Sequence, residues 1–297
     1  MSLTSIIARK SGLADRRWWA LVLLATAEFM VILDDSVVNI ALPSIGRGLQ
    51  ISLTNLSWVV NAYVLTFGGF LLLGGRIADL VGRRRFFTVG LGVFSLASLA
   101  GGLAQSQGWL IGARAIQGVG AALLAPAVLS LVTSIFREGA ERNRALSVWG
   151  AVAGSGAAAG VLLGGVLTSG LGWRSVLFVN VPIGIAAILL TPLLVAESRG
   201  DTAHRGFDLP GAATVTAGLS ALVLGLVRAS TVGWGSVQTI GALAAAAALL
   251  VSFVMIERRS EAPLVPFAFF RNLNVSAANA TMLATGAAII GLFYFLV

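Results

Sequence analysis

The sequence predicts an all-α protein that crosses a membrane many times, and three observations carry that reading. First, 57% of the 297 residues are hydrophobic and only 11% are charged, with a mean hydropathy of +0.93. Soluble domains carry about 25% charged residues, so this surface is not made for water. Second, apolar runs of about 20 residues recur along the chain, the length an α-helix needs to cross the hydrocarbon core. Barrel strands are about half as long and alternate in polarity, which these runs do not. Third, Lys and Arg gather in alternate loops, the pattern of a polytopic protein.

Residues 1–17 are basic, with Arg9, Lys10, Arg16 and Arg17. The apolar run behind them is too long for a signal peptide, so they read as a cytoplasmic tail. A first span follows at 18–43. Eight more are expected at 56–75, 86–105, 109–135, 145–170, 175–196, 209–229, 237–256 and 274–297. Spans one to six make a bundle over 18–196. Residues 197–208 are a polar connector, 209–256 a two-helix hairpin, and 257–273 a second connector. The span at 274–297 starts an incomplete second bundle. Spans one to three and four to six run in opposite senses, as an inverted repeat requires. The last span stops inside an apolar run at Val297, which reads as a fragment of a longer chain.

Of the 20 basic residues, sixteen lie in one set of loops. Three, Arg47, Arg174 and Arg228, lie in the other, and Arg114 is inside a span. The N-terminus is therefore expected in the cytoplasm, with the chain in the plasma or inner membrane. The net charge of +8 then reflects topology and anionic lipid, not a nucleic-acid partner.

Several chemistries are excluded. There is no cysteine, and the one histidine, His204, lies in a polar stretch. Thiolate, His-metal and His-catalysed sites are not expected. No phosphate-binding Gly-rich motif with its lysine occurs, and Lys10 is the only lysine. No catalytic residue, metal or cofactor is assigned, which leaves an ion gradient as energy source.

Charges inside spans point to function, because the bilayer makes them costly. The first span holds Glu28, Asp34 and Asp35, followed by Asn39 and Pro43. Glu28 and Asp35 lie within about 20° of the same helix face. The fourth span holds Arg114, with Gln117 one turn on. A buried Arg needs a carboxylate or several acceptors, and the first span offers them. Asp34, Asp35 or Glu28 would then be a titratable acid opposite a fixed cation, exchanging a proton for a cationic substrate.

Between spans two and three, Gly75, Asp79, Gly82, Arg83, Arg84 and Arg85 form a Gly–Asp–Gly–Arg pattern. Glycines there would allow a tight turn and close helix contact. Asp79 would meet a helix N-terminus or an Arg. In the fifth span Gly156, Gly160 and Gly164, beside Gly165, make a small-residue ridge for close helix packing. Trp173 and Trp109 suit one membrane interface, and Trp18 and Trp19 the other.

These stretches together resemble a known family. Residues 75–85 resemble the loop signature of the major facilitator superfamily, with Ile77 in the usual Leu place. Leu33 to Pro43 is similar to the first-helix motif of the fourteen-helix drug:proton antiporter branch. Arg114-Ala115-Ile116-Gln117-Gly118 resembles the branch's proton-coupling motif. Trp173-Arg174 with Phe178, Asn180, Pro182 and Gly184 resembles its helix 5–6 signature. Phe207 to Gly211 looks like the start of its two inserted helices.

The chain departs from the pattern at Val161, where the antiporter motif has Pro, and at Asp35, where Thr is common. The resemblance implies proton-coupled efflux of lipophilic or cationic drugs. The partners would be protons, a drug-like small molecule and the lipid bilayer. Alternating access arises between two bundles, so a C-terminal half is implied. Two other readings fit the same residues: a non-transporting fragment or assembly partner that needs this half, and a proton-coupled importer.

Overall fold

A computed structural model describes residues 3–198, 208–260, 263–265 and 267–296. Arg199, His204, Arg205 and Val297, and most of the expected connector 197–208, lie outside them. Among the described residues there is helix and no strand. The helices are α1 (Leu3–Leu49), α2 (Leu53–Leu56), α3 (Trp58–Val81), α4 (Arg83–Gly102), α5 (Gln107–Ile135), α6 (Ala140–Leu171), α7 (Ser175–Phe178), α8 (Asn180–Leu194), α9 (Leu209–Val232), α10 (Val237–Glu257) and α11 (Leu273–Leu296). Among the described residues, seven helical stretches are long and apolar enough to cross a membrane; α1, which carries Glu28, Asp34 and Asp35, and α11 are not among them.

Local chemistry sets the helix ends. Ser106, Asp208 and Ser236 each accept an N–H from the first turn of α5, α9 and α10, the usual answer to unpaired N-terminal donors. Pro210 occupies the first turn of α9, where no N–H is needed. Helix α1 ends in a left-handed cap at Gln50, with φ 52°, while Ile51 N–H reaches back to the Gly46 carbonyl at 3.0 Å.

Both ends of α1 and the end of α3 differ from the sequence expectation. Helix α1 already begins at Leu3 and runs on past Pro43 to Leu49, so the expected tail is helical from Leu3. Helix α3 continues six residues beyond the expected end at 75. Gly75 and Asp79 are therefore helical, and the turn is confined to Gly82, with φ 121°. Helix α6 is unbroken through Val161, as the missing Pro would lead one to expect.

Helices α1, α3, α4, α5, α6 and α8 pack as a bundle, with α3 and α4 both against α5, and α6 and α8 against α1. Helices α9 and α10 form a hairpin that leans on α3 through α9. Two apolar clusters fill the bundle. One holds Leu24, Phe87, Phe94, Leu124 and Phe136. The other holds Leu33, Val37, Val59, Leu110 and Leu177. Asp34 sits on α1 between Met30 and Val31 of the first cluster and Val37 of the second. A polar layer thus lies between two greasy ones.

Candidate functional site

The polar layer is built from four helices. Asp34 of α1, Arg114 and Gln117 of α5, and Asn180 of α8 are all 0% exposed. Arg114 Nη1 donates to Asp34 Oδ2 at 2.5 Å and to Gln117 Oε1 at 2.8 Å. Its Nε donates to the Val59 carbonyl of α3 at 3.1 Å. Asp34 Oδ1 accepts from Gln117 Nε2 at 2.9 Å and from Asn180 Nδ2 at 2.6 Å. Asn180 also donates to Ser98 Oγ of α4, which in turn donates to the Leu177 carbonyl. The Arg114 guanidinium stands 4.3 Å from the centre of the Tyr63 ring. Each charge has the compensation that a dry site demands.

Close backbone packing makes this possible. At Gly118, one turn past Arg114, any side chain would strike the Tyr63 carbonyl and Thr66 of α3. Thr66 Oγ1 donates to the Ala115 carbonyl at 2.7 Å. Helix α5 is thereby held against α3 where Arg114 and Tyr63 meet.

A second acidic group faces open space. Glu28, Asp35, Ser36, Tyr63 and Phe67, with Ala157 of α6, line a cavity of about 370 Å³. Glu28 Oε2 and Asp35 Oδ1 are buried without a hydrogen-bond partner. The shared face expected for Glu28 and Asp35 is thus the cavity wall, and Asp34, one step round, points into the sealed layer. The cavity pairs negative charge with aromatic rings, the surface that suits a lipophilic cation.

Asn39 is exposed, and its Nδ2 donates to the backbone carbonyl of Asp35 at 2.8 Å, so in this structure it joins neither group. One of its N–H donors is spent one turn back on its own helix.

The Gly–Asp–Gly–Arg pattern forms a separate cluster at the α3–α4 turn. Asp79 Oδ1 accepts from Arg83 Nε at 2.9 Å and from Ser130 Oγ of α5 at 3.5 Å. Of the two partners expected for Asp79, the Arg is the one it meets. The N-terminus of α4 is instead met by Glu197, whose Oε1 accepts Arg84 N–H at 3.0 Å. The same carboxylate lies 3.7 Å from both Arg84 and Arg85. Arg83 N–H donates to the Ser198 carbonyl. Gly75 packs on Pro126, 3.4 Å from where its Cβ would be. Of the two roles expected of these glycines, Gly75 takes the helix contact and lies inside α3, not in the turn.

On α6, Gly156, Gly160 and Gly164 lie against Ile32, Ser36, and Val37 with Ile40 of α1. Gly165 faces open space and is no part of that ridge; one residue step turns it about 100° away.

Tyr63, Ser98 and Glu197 were not singled out by sequence reasoning. Tyr63 has the look of ordinary core in an apolar run. Ser98 is one small polar residue among many, and Glu197 reads as part of a polar connector. Asn180 had a signal, a lone amide at the start of an apolar helix.

The family description "Major Facilitator Superfamily" matches residues 24–297. The chain belongs to that superfamily. A puromycin resistance protein of Streptomyces alboniger is 49% identical, over 86% of this chain and 50% of its own length. A cephamycin export protein of Amycolatopsis lactamdurans is 48% identical, over 93% of this chain and 57% of its own. The multidrug resistance protein Stp of Mycobacterium tuberculosis is 40% identical, over 92% and 51%. The chain thus spans about half the length of these major facilitator relatives. Among solved structures, a peptide transporter POT superposes with a TM-score of 0.58 at 18% identity, covering 82% of this chain and 53% of that one. As a major facilitator protein with seven membrane-length helical stretches, the chain is a multi-pass membrane protein.

Proposed function

We propose that this chain supplies the proton-handling bundle of a drug exporter, which moves lipophilic cations out of the cell in exchange for protons. One observation carries the reading. A sealed carboxylate, Asp34, is paired with Arg114 next to a cavity where Glu28 and Asp35 hold unpartnered oxygens. Asp34 is the proton carrier, because a change of charge there rewrites its contacts to Arg114 and Gln117 of α5 and to Asn180 of α8. Glu28 and Asp35 attract the cation, and Tyr63 and Phe67 stack against its apolar body. The relatives whose printed names mention resistance or export support a drug as cargo.

In this reading the N-terminus lies in the cytoplasm, as the Arg-rich loops require. The α9–α10 hairpin is an insertion between two bundles, and a second bundle completes the substrate path. Asp79, Gly82, Arg83 and Arg84 switch the bundles between access states. The Gly156–Gly160–Gly164 ridge keeps α6 and α1 in close register as they move.

The test is Asp34→Asn in a full-length version, assayed in inverted membrane vesicles. Efflux driven by an imposed pH gradient should fall at least about tenfold, while passive substrate exchange persists. Unchanged gradient-driven efflux would remove Asp34 from its role.

A further inference from the structure

Tyr63 stands between the two acidic groups. Its ring is 4% exposed. It carries the Arg114 guanidinium at 4.3 Å, yet it also lines the cavity with Glu28 and Asp35. It stacks on Phe67, with ring centres 6.0 Å apart and planes within 12°. Its backbone is pinned to α5 at Gly118, so the ring has little freedom to leave. The charged groups that act on it are Asp34, Arg114, Asp35 and Glu28. On α9, which also packs against α3, Arg228 lies over Trp58 instead.

From this geometry we infer that Tyr63 is a positioning residue, whose ring face holds Arg114 in place when Asp34 takes up its proton. The inference rests on the proposed role of Asp34 and adds how the pair is opened. Protonation of Asp34 removes the anion facing Arg114. The guanidinium keeps Gln117 and the Val59 carbonyl, but both are neutral. Its Nη2 has no partner at all. A π-face attracts a desolvated cation at this distance. The ring therefore contributes most when Asp34 is neutral, and so favours the protonated state. Arg114 stays docked, and its uncompensated charge is felt through one ring's thickness by whatever the cavity holds. Proton and cation then compete without touching.

The experiment is binding of tetraphenylphosphonium to a full-length version purified in detergent, followed from pH 5 to 9. Binding to the wild type should weaken as pH falls, and Asp34→Asn sets apart the share owed to Glu28 and Asp35, which line the same cavity. Tyr63→Phe keeps the ring face and should give the same midpoint. Tyr63→Leu loses it, and the midpoint should move to lower pH by up to about one unit, read separately from the affinity at pH 9, which the lost stacking ring also lowers. Circular dichroism and gel filtration check that this variant folds. If it does not, phenylalanine and pentafluorophenylalanine at position 63 decide the matter. They share a shape, and only the fluorinated ring lacks a negative face.

A midpoint that ignores both the Leu change and fluorination overturns the inference and leaves the Asp34 reading standing. A midpoint moved equally by Tyr63→Phe assigns the effect to the hydroxyl and overturns it as well. Wild-type binding that is indifferent to pH brings down the Asp34 reading, and this inference with it.

Discussion

Two of the carboxylate–guanidinium clusters are made of the same chemistry in different solvents. Asp34 and Arg114 are wholly sealed, with side chains 0% exposed on both sides. Asp79 and Arg83 touch at 2.9 Å, but their side chains are 32% and 20% exposed. The sealed pair has lost its water, so every donor and acceptor matters and any change of charge is expensive. The turn cluster keeps part of its water, so its worth lies in geometry. It ties the α3–α4 turn to the chain after α8 through Glu197 and Ser198. A change of charge therefore costs most at the first cluster and least at the second.

Substitutions can break this contrast. The largest effect should come from Arg114→Met, which strands Asp34 in the dry layer. A loss of about 3–5 kcal/mol is expected from unfolding in mixed micelles. Adding Asp34→Leu to it should restore most of that loss. A single variant as stable as the wild type would mean that the layer is wet.

A middle-sized effect is expected from Gly82→Ala. At φ 121° any side chain is strained, and a Cβ would stand 2.9 Å from Glu197 Oε1. The cost should be about 1–3 kcal/mol by the same titration, with Arg84 N–H left unpaired as its exchange rate would reveal.

The smallest effect on stability should come from Asp79→Ala, about 0.2–1 kcal/mol, because this pair is partly hydrated. In a full-length version the same change should slow transport turnover while leaving substrate affinity in place. Loss of affinity with intact turnover would separate Asp79 from any switching role.

Much of this was legible from periodicity and charge. The apolar runs placed most helix ends within a few residues, because a bilayer demands length above all. Asp34 and Arg114 stood out because charges in apolar runs are rare. The choice among Asp34, Asp35 and Glu28 was not legible. A 100° step decides which acid faces the sealed layer and which faces the cavity, and that depends on how α1 is rotated by the α6 glycines. The end of α3 was missed for a similar reason. Gly74 and Gly75 look like punctuation, yet inside α3 they let α5 approach. Glu197 was invisible because its partner lies more than a hundred residues earlier in the chain. Tyr63 was hidden because an aromatic ring in an apolar run has nothing to mark its second face.

Helix α11 has a different standing from the rest. Its substantial contacts are with the short 3-10 turn Phe267–Arg271 just before it. Leu273, Met282 and Leu283 are 83%, 78% and 77% exposed. An α-helix satisfies its backbone hydrogen bonds within itself, so in lipid it needs no neighbour in order to persist. In terms of cooperativity, the described part of α11 shares little packing with the six-helix bundle, so the bundle is expected to melt or re-form without it.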